Sequence, residues 1–254
     1  METSSVHKLN EKYYNNLYKE RNKVLNIIHP LVSFDQQSKS KANYFFVKNL
    51  IKGEGCKILD YGFGHGSFLL KFSKRCTLYG VDISEEAVNN FPKTAKFFGK
   101  KAFTALPDDI NKIITPGSLD LICLSHVLEH VENDKAILDQ LSKYLNDEGH
   151  LLINLPINEV WKDPKHVRAY ELKTVESLLS ELDFKIINYF MFDKITAFLL
   201  EQEFNRKITR FKKFNLRVLR LLLSFASFKT YNLLDKYFFK NYSNQQLVVL
   251  AQKK

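Results

Sequence analysis

Cysteine is scarce in this chain. Cys56, Cys76 and Cys123 are the only three in 254 residues, and none forms a Cys-x-x-Cys pair. No dithiol motif is therefore available, and the three read as buried free thiols of a reducing compartment. No uncharged run approaches the ~20 residues that cross a bilayer. The N-terminus is polar and tyrosine-rich and lacks the apolar core of a secretion signal. Both absences make the cytoplasm the expected location. Internal repeats and low-complexity tracts are missing as well, and 45% apolar residues exclude wholesale disorder. Acidic residues almost vanish in one place. Asn205 to Lys240 holds ten Lys and Arg against Asp235 alone, a balance of +9, so of the chain's net +10 only +1 belongs elsewhere.

What is present begins with Ile58-Leu59-Asp60-Tyr61-Gly62-Phe63-Gly64-His65-Gly66-Ser67-Phe68-Leu69-Leu70. A short apolar run ends in an acid, glycines follow at alternate positions, and an apolar helical pattern resumes. This is a strand, a tight turn and a helix, through which backbone can press against a nucleotide-like ligand. Eighteen residues after Gly64, Tyr79-Gly80-Val81-Asp82-Ile83-Ser84 is a second strand ending in an acid suited to the two hydroxyls of a ribose. The spacing is Gly-x-Gly-x-Gly, with Ser67 where the dinucleotide fingerprint has its third glycine.

These two segments resemble motifs I and II of the class I S-adenosylmethionine-dependent methyltransferases. Pro116 to Val131 resembles that family's fourth strand and the loop behind it, and Asp147 to Pro156 the turn into its fifth. His166-Val167-Arg168-Ala169-Tyr170, Leu178-Leu179 and Asp183-Phe184 are similar to a late helix and its exit in small-molecule members. Gln246 to Ala251 fits the reversed last strand. The resemblance covers roughly residues 45–195 and the C-terminal strand.

Its implied fold is α/β: a Rossmann-like, seven-stranded, mostly parallel sheet with an antiparallel last strand, plus a helical insertion. Alternating periodicity places strands near 57–61, 77–81, 101–104, 119–124, 149–154, 184–190 and 246–251. Helices fall near 66–75, 84–91, 131–145 and 172–182. Tyr13, Tyr14, Leu17, Tyr18, Val24, Leu25 and Ile28 form an amphipathic pattern, Ser33 to Ser40 is turn-like, and a helix follows from Ala42 to Ile51. The expected organisation is an N-terminal helical cap over 1–44 and a methyltransferase domain over 45–254.

Residues 197–240 are too long and too periodic for a connecting loop, so they form an insertion before the last strand. Arg206, Arg210, Lys213, Arg217, Arg220, Ser224 and Ser227 recur as one polar helical stripe. Ile208, Phe211, Val218, Leu219, Leu222 and Phe225 lie on the other side. Leu233, Tyr237, Phe238 and Phe239 suggest a second, shorter helix. The apolar side is expected to pack on the domain or on a second subunit. Two other uses are open: covering the acceptor site to attract an anionic substrate, and peripheral contact of 206–228 with an anionic membrane.

The resemblance implies S-adenosylmethionine as cofactor, held by Asp60, Tyr61, Gly62, Gly64, Gly66, Asp82, Ile83, Asp108 and Ser125. Asp60 would meet the methionine ammonium, Asp82 the ribose and Ile83 the adenine face. His126, at the end of the fourth strand, is the leading reaction-site candidate, and His166 is the second. Imidazole titrates where a hydroxyl acceptor could be deprotonated. Arg168 and Tyr170 would meet the acceptor, and Tyr13 or Tyr14 could close over the cofactor. His126-Val127-Leu128-Glu129-His130 also spells the H-x-x-E-H string of inverzincin peptidases. That string straddles a strand end within a run that fits a methyltransferase on both sides, so no metal is expected.

The implied function is methyl transfer to oxygen or nitrogen of a small, anionic metabolite, with capsule or surface-glycan precursors as the preferred acceptors. A non-catalytic S-adenosylmethionine-binding protein is the alternative from another class. No recognised nucleic-acid module accompanies the core.

Overall fold

A computed structural model describes residues 12–16, 31–51, 55–160, 163–204 and 208–254. Seven strands form one sheet: β1 (Lys57–Tyr61), β2 (Thr77–Val81), β3 (Lys101–Ala105), β4 (Leu119–Ser125), β5 (Leu145–Pro156), β6 (Phe184–Phe192) and β7 (Gln246–Lys253). Their order is β3-β2-β1-β4-β5-β7-β6. The first five are parallel, and β7 runs antiparallel between β5 and β6. The expected strands and their sense are confirmed.

The central strands bury apolar residues on both faces because helices or loops cover both sides of the sheet. Ile58, Leu78, Leu121 and Leu152 point into one core, with Leu59, Ile122 and Ile153 in the other. Sequence order reverses between β1 and β4, and the carboxyl ends of those strands open a crevice there.

The flanking α-helices are α1 (Phe34–Val47), α2 (Glu85–Phe97), α3 (Asp134–Ser142), α4 (Leu172–Ser180), α5 (Lys194–Phe204), α6 (Arg210–Phe225) and α7 (Phe228–Tyr237). Ser84 starts α2 by accepting from the Ala87 N–H, and Asn133 does the same for α3 from Ala136.

Several expectations need correction. The segment 66–75 carries no α-helix, only a 3₁₀ turn at Leu69–Lys71. Phe72 is extended, and the Ser73 hydroxyl takes the Arg75 N–H, so a side chain competes with the helical ladder. Ser33 to Ser40 is not turn-like: α1 begins at Phe34, buries polar Gln37, Ser38, Ser40 and Asn43, and runs unbroken across the boundary drawn at 44/45. Its inward face is polar, so it lacks the hydrophobic period that announces a helix. Of the N-terminal pattern, Leu17, Tyr18, Val24, Leu25 and Ile28 lie outside the described residues.

Cys56 and Cys76 are bonded to each other, and only Cys123 is a free buried thiol. The parallel register Lys57↔Thr77 sets the two preceding residues side by side, although twenty positions separate them in sequence. The argument from free thiols to a reducing compartment thereby loses two of its three members. No helix among the described residues is long and apolar enough to cross a membrane.

The insertion is helical, but its faces are not arranged as expected. Leu216, Leu223 and Ser224 are buried, and Leu219 packs against the core. Arg220 turns inward to Asp35 at 3.2 Å and Glu203 at 3.0 Å. Phe211, Val218, Leu222 and Phe225 face outward instead of packing on the domain. The helix has two apolar arcs, and the core uses the one that carries Leu216 and Leu223. Ser227 caps α7 rather than continuing the stripe, and Arg206 lies outside the described residues.

Candidate active site

A cavity of about 440 Å³ opens at the carboxyl ends of β1, β2 and β4. Asp60, Tyr61, Gly62, Phe63 and Gly64 line it from the first turn, with Asp82 and Ile83 from the second. Ser125, His126, His130 and Glu132 line it after β4. Gln36, Lys39, Ser40 and Asn43 close another wall. Their spacing of three, one and three puts them on one face of α1. Tyr14, Asp163 and His166 complete the rim.

The turn is shaped by its glycines. Gly62 and Gly66 have φ of +77° and +72°. A β-carbon on Gly66 would fall 1.9 Å from Phe91 Cε2, and Phe91 is buried against Phe63. Gly66 does not line the cavity; it lets the turn close onto α2. Gly66→Ala should therefore destabilise the fold by about 1–3 kcal/mol or more through left-handed strain and overpacking. Thermal unfolding checks this, and an unchanged midpoint would remove the assignment.

The Asp82 carboxylate fixes both loops, accepting the Gly64 N–H at 2.8 Å and the Ser84 N–H at 2.9 Å. Burial pushes its pKa up, while these two N–H groups oppose that shift. Asp60 is deeper, and its Oδ1 is buried without a hydrogen-bond partner. Burial and the neighbouring Asp82 raise its pKa to about 8. An orphaned buried carboxyl oxygen on a cavity wall suits a cationic ligand group.

The structure divides the sequence-predicted site residues. Asp60, Tyr61, Gly62, Gly64, Asp82, Ile83, Ser125, His126 and His166 share this cavity, whereas Gly66, Asp108, Arg168 and Tyr170 are not among its lining residues. Asp108 is exposed on the 3₁₀ turn after β3. Arg168 pairs with Asp134 and donates to the Glu132 carbonyl. The Tyr170 hydroxyl donates to Asp134 and lies 3.3 Å from the Leu128 carbonyl oxygen. This pair braces α3 and the loop after β4.

The histidines differ in their freedom. His126 has φ +57°, with Nδ1 3.1 Å from Glu129 Oε1 and Nε2 2.6 Å from Gln246 Oε1. Both ring nitrogens face acceptor oxygens, and a neutral ring can donate to only one of them. Burial and the charge of Lys39 lower its pKa, against the pull of Glu129. His166 donates Nδ1–H to Glu159 Oε1 at 2.8 Å, leaving Nε2 as the acceptor nitrogen. His130 lies beside it with ring centroids 4.8 Å apart, its Nδ1 3.3 Å from the Lys165 carbonyl oxygen.

Glu129, His130 and His166 bring one potential ligand atom each within 4.8 Å of one another. His126 is outside that set, and Leu128–His130 is a single 3₁₀ turn. The two histidines of the H-x-x-E-H string therefore do not sit on one α-helical face, as the peptidase reading requires.

Sequence reasoning missed Glu159, Gln36, Lys39 and Asn43. The α1 residues had a signal in their helical spacing. Glu159 reaches His166 across the Asp163-Pro164 break, which no periodicity reports.

A parallel sheet with a switch-point cavity, a glycine turn and two buried acids is the framework of S-adenosylmethionine-dependent methyltransferases. The chain belongs to this class: the methyltransferase domain family matches residues 33–190, more than half of the chain. S-adenosylmethionine is the cofactor.

Among relatives, the chain is 24% identical over 129 residues to a probable (S)-tetrahydroprotoberberine N-methyltransferase 2 of Papaver bracteatum. That match covers 50% of this chain but only 36% of the relative. The magnesium protoporphyrin IX methyltransferase of Synechocystis PCC 6803, solved with bound SAH, superposes with a TM-score of 0.60 at 14% identity, covering 97% of this chain and 99% of that one. The [4+2]-cyclase SpnF gives a TM-score of 0.60 at 12% identity over 91% and 93% of the two chains. A methyltransferase from Archaeoglobus fulgidus gives 0.54 at 19% over 85% and 94%. At these identities the structural likenesses establish the fold alone.

The residues present fit the cofactor, since Asp60 offers its orphaned oxygen and Asp82 its carboxylate beside the turn. In the free protein Asp60 holds its proton more tightly than an unfolded chain does. That stabilising contribution is fully present below pH ~4 and declines as pH rises towards about 8. A cationic ligand reverses the preference and favours the carboxylate. Cofactor binding near pH 7 should therefore release a proton, and affinity should rise with pH up to about 8. Calorimetry in buffers of different ionisation enthalpy measures that release. Asp60→Asn should abolish it, and a wild type that releases no proton would contradict the assignment.

Proposed function

We propose that the protein transfers a methyl group from S-adenosylmethionine to an oxygen or nitrogen atom of a small metabolite, with His166 receiving the acceptor's proton. The carrying observation is the His166–Glu159 pair at the cavity rim, 2.8 Å between Nδ1 and Oε1. Glu159 orients the ring, and Nε2 is the atom that takes the proton. The bound cofactor supplies an electrophilic methyl on a sulfonium with a good leaving group. The chain's task is then to align the acceptor in line and exclude water.

Asp60, Tyr61, Gly62, Gly64, Asp82, Ile83 and Ser125 hold the cofactor in this reading. His126, tied to Glu129 and Gln246, shapes the wall between cofactor and acceptor. Arg168 and Tyr170 position the loop after β4.

An anionic acceptor, such as a capsule or surface-glycan precursor with a sugar or phosphoramidate-type group, has Lys39 as its cationic contact among the lining residues. The basic helix α6 does not line the cavity. Glu132 and Asp163 do, and they favour a second reading in which the acceptor is an amine. The similarity to an N-methyltransferase supports nitrogen as the methylated atom.

Offering the purified protein matched sets of anionic hydroxyl compounds and amines, with mass-spectrometric detection of the added methyl, tests both readings. Methylation of neither set, with cofactor bound, would leave a non-catalytic binding protein.

A further inference from the structure

We propose that the outer face of α6 is an interfacial anchor that seats the protein on an anionic lipid bilayer. At 100° per residue, positions 211, 214, 218, 221, 222 and 225 fall on one arc of about 100°. Phe211, Phe214, Leu222 and Phe225 on that arc are 75%, 63%, 64% and 68% exposed. Scattered exposed apolar residues are ordinary, but a contiguous stripe of phenylalanine and leucine marks a surface that meets another apolar phase.

The inner side of the same helix is fully committed. Leu216 and Leu223 are buried, Arg220 is paired with Asp35 and Glu203, and Thr209 caps the first turn. Lys41 Nζ donates to the carbonyls of Ser224 and Ala226 at 2.6 and 2.7 Å, closing the last turn. The apolar arc is therefore not a frayed element awaiting its own core. It is held outward by a well-tied helix.

Charge selects the occupant. Arg210 and Arg217 run along one edge of the arc, Lys212 and Lys213 are exposed beyond its edges in the first turn, and α6 contains no acid. In α7, Asp235 is buried, accepting the Asp193 and Ile195 N–H groups, so it cannot neutralise the edge. A second copy docking by this face would set cation rows against cation rows. A bilayer with anionic headgroups receives both features at once, the apolar arc entering the acyl boundary and the cations meeting phosphates.

The anchor lies one helix from the chemistry. The α1 residues Asp35 and Lys41 hold α6, while Gln36, Lys39, Ser40 and Asn43 of the same helix line the cavity.

Sedimentation of the full chain with phosphatidylcholine vesicles, with and without phosphatidylglycerol, tests this. Binding should require the anionic lipid and weaken with salt. Replacing Phe211, Phe214, Leu222 and Phe225 together by serine should lower partitioning at least tenfold. Arg210→Glu, Lys213→Glu and Arg217→Glu together should lower it and remove the salt dependence. Both variants should keep wild-type affinity for S-adenosylmethionine, which reports that they fold. Equal sedimentation of wild type and the serine variant would overturn the proposal. So would a wild type that ignores anionic vesicles but forms, by analytical ultracentrifugation, a dimer that the serine variant loses.

Discussion

Replacing His166 with alanine is expected to lower turnover by about 10²-fold or more while S-adenosylmethionine affinity changes little. The imidazole is oriented by Glu159 and lines the cavity, so in the proposed reaction its loss removes a proton acceptor rather than a cofactor contact. Glu159→Gln should lower kcat less, because the ring remains but its orientation is no longer enforced by a carboxylate. Added imidazole should restore part of the activity to the alanine variant and none to the glutamine variant. His126→Ala is expected to behave differently. Its ring sits against Glu129, whose carboxylate is fully buried, and removing it strands that charge. Leaving a buried carboxylate without its partner costs on the order of 1–3 kcal/mol or more, so this variant should show chiefly as a lowered unfolding temperature. If His126→Ala instead loses turnover with stability intact and His166→Ala does not, the proton acceptor is His126.

The central strands were legible because they obey a local rule, whereas the segment around Lys101 to Thr104 had no clear period. Ile58 to Tyr61 and Leu119 to Leu124 are apolar runs bounded by turn residues, the pattern of a strand buried on both faces. The antiparallel β7 followed from the resemblance rather than from periodicity. What failed was decided by contacts that hydrophobic periodicity does not report. The turn at Leu69–Lys71 reads as a helix until the Ser73 hydroxyl and the extended Phe72 are seen to end it. The start of α1 reads as a turn because its inward face meets a polar cavity rather than oil. The helix α6 has apolar residues on two arcs, and only the packing of Leu216 and Leu223 shows which arc is inside.

The site was partly legible for the same reason. Asp60, Gly62 and Gly64 belong to one continuous turn, and the parallel pairing of β1 with β2 brings Asp82 beside it. Arg168 and Tyr170 were adjacent in sequence to His166, yet the chain turns them toward Asp134. Adjacency in an irregular segment does not fix direction, whereas a strand or helix would have done so. Glu159 was invisible because its partner lies beyond a Pro break, and the ring orientation it sets is a tertiary fact.

Asp82→Ala is expected to weaken S-adenosylmethionine binding by at least about 10²-fold. Each charge-assisted hydrogen bond of this kind contributes roughly 1.5–3 kcal/mol, and the carboxylate serves two functions. In the free protein its oxygens accept the Gly64 and Ser84 N–H groups, which holds the glycine turn against the end of β2. Their remaining lone pairs are the acceptors we propose for the ribose hydroxyls. The alanine variant leaves two backbone donors without their partner and the diol without an acceptor. Asp82→Asn keeps one acceptor oxygen but places an amide donor against an N–H, so its loss should be intermediate. A ribose-modified cofactor analogue separates the two functions. Wild type should discriminate strongly against an analogue lacking the ribose hydroxyls, and Asp82→Ala should discriminate little, a coupling that a thermodynamic cycle measures directly. If the alanine variant still discriminates as the wild type does, Asp82 only braces the turn. If calorimetry gives equal affinity for variant and wild type with the fold intact, the second acid of the site has been misassigned.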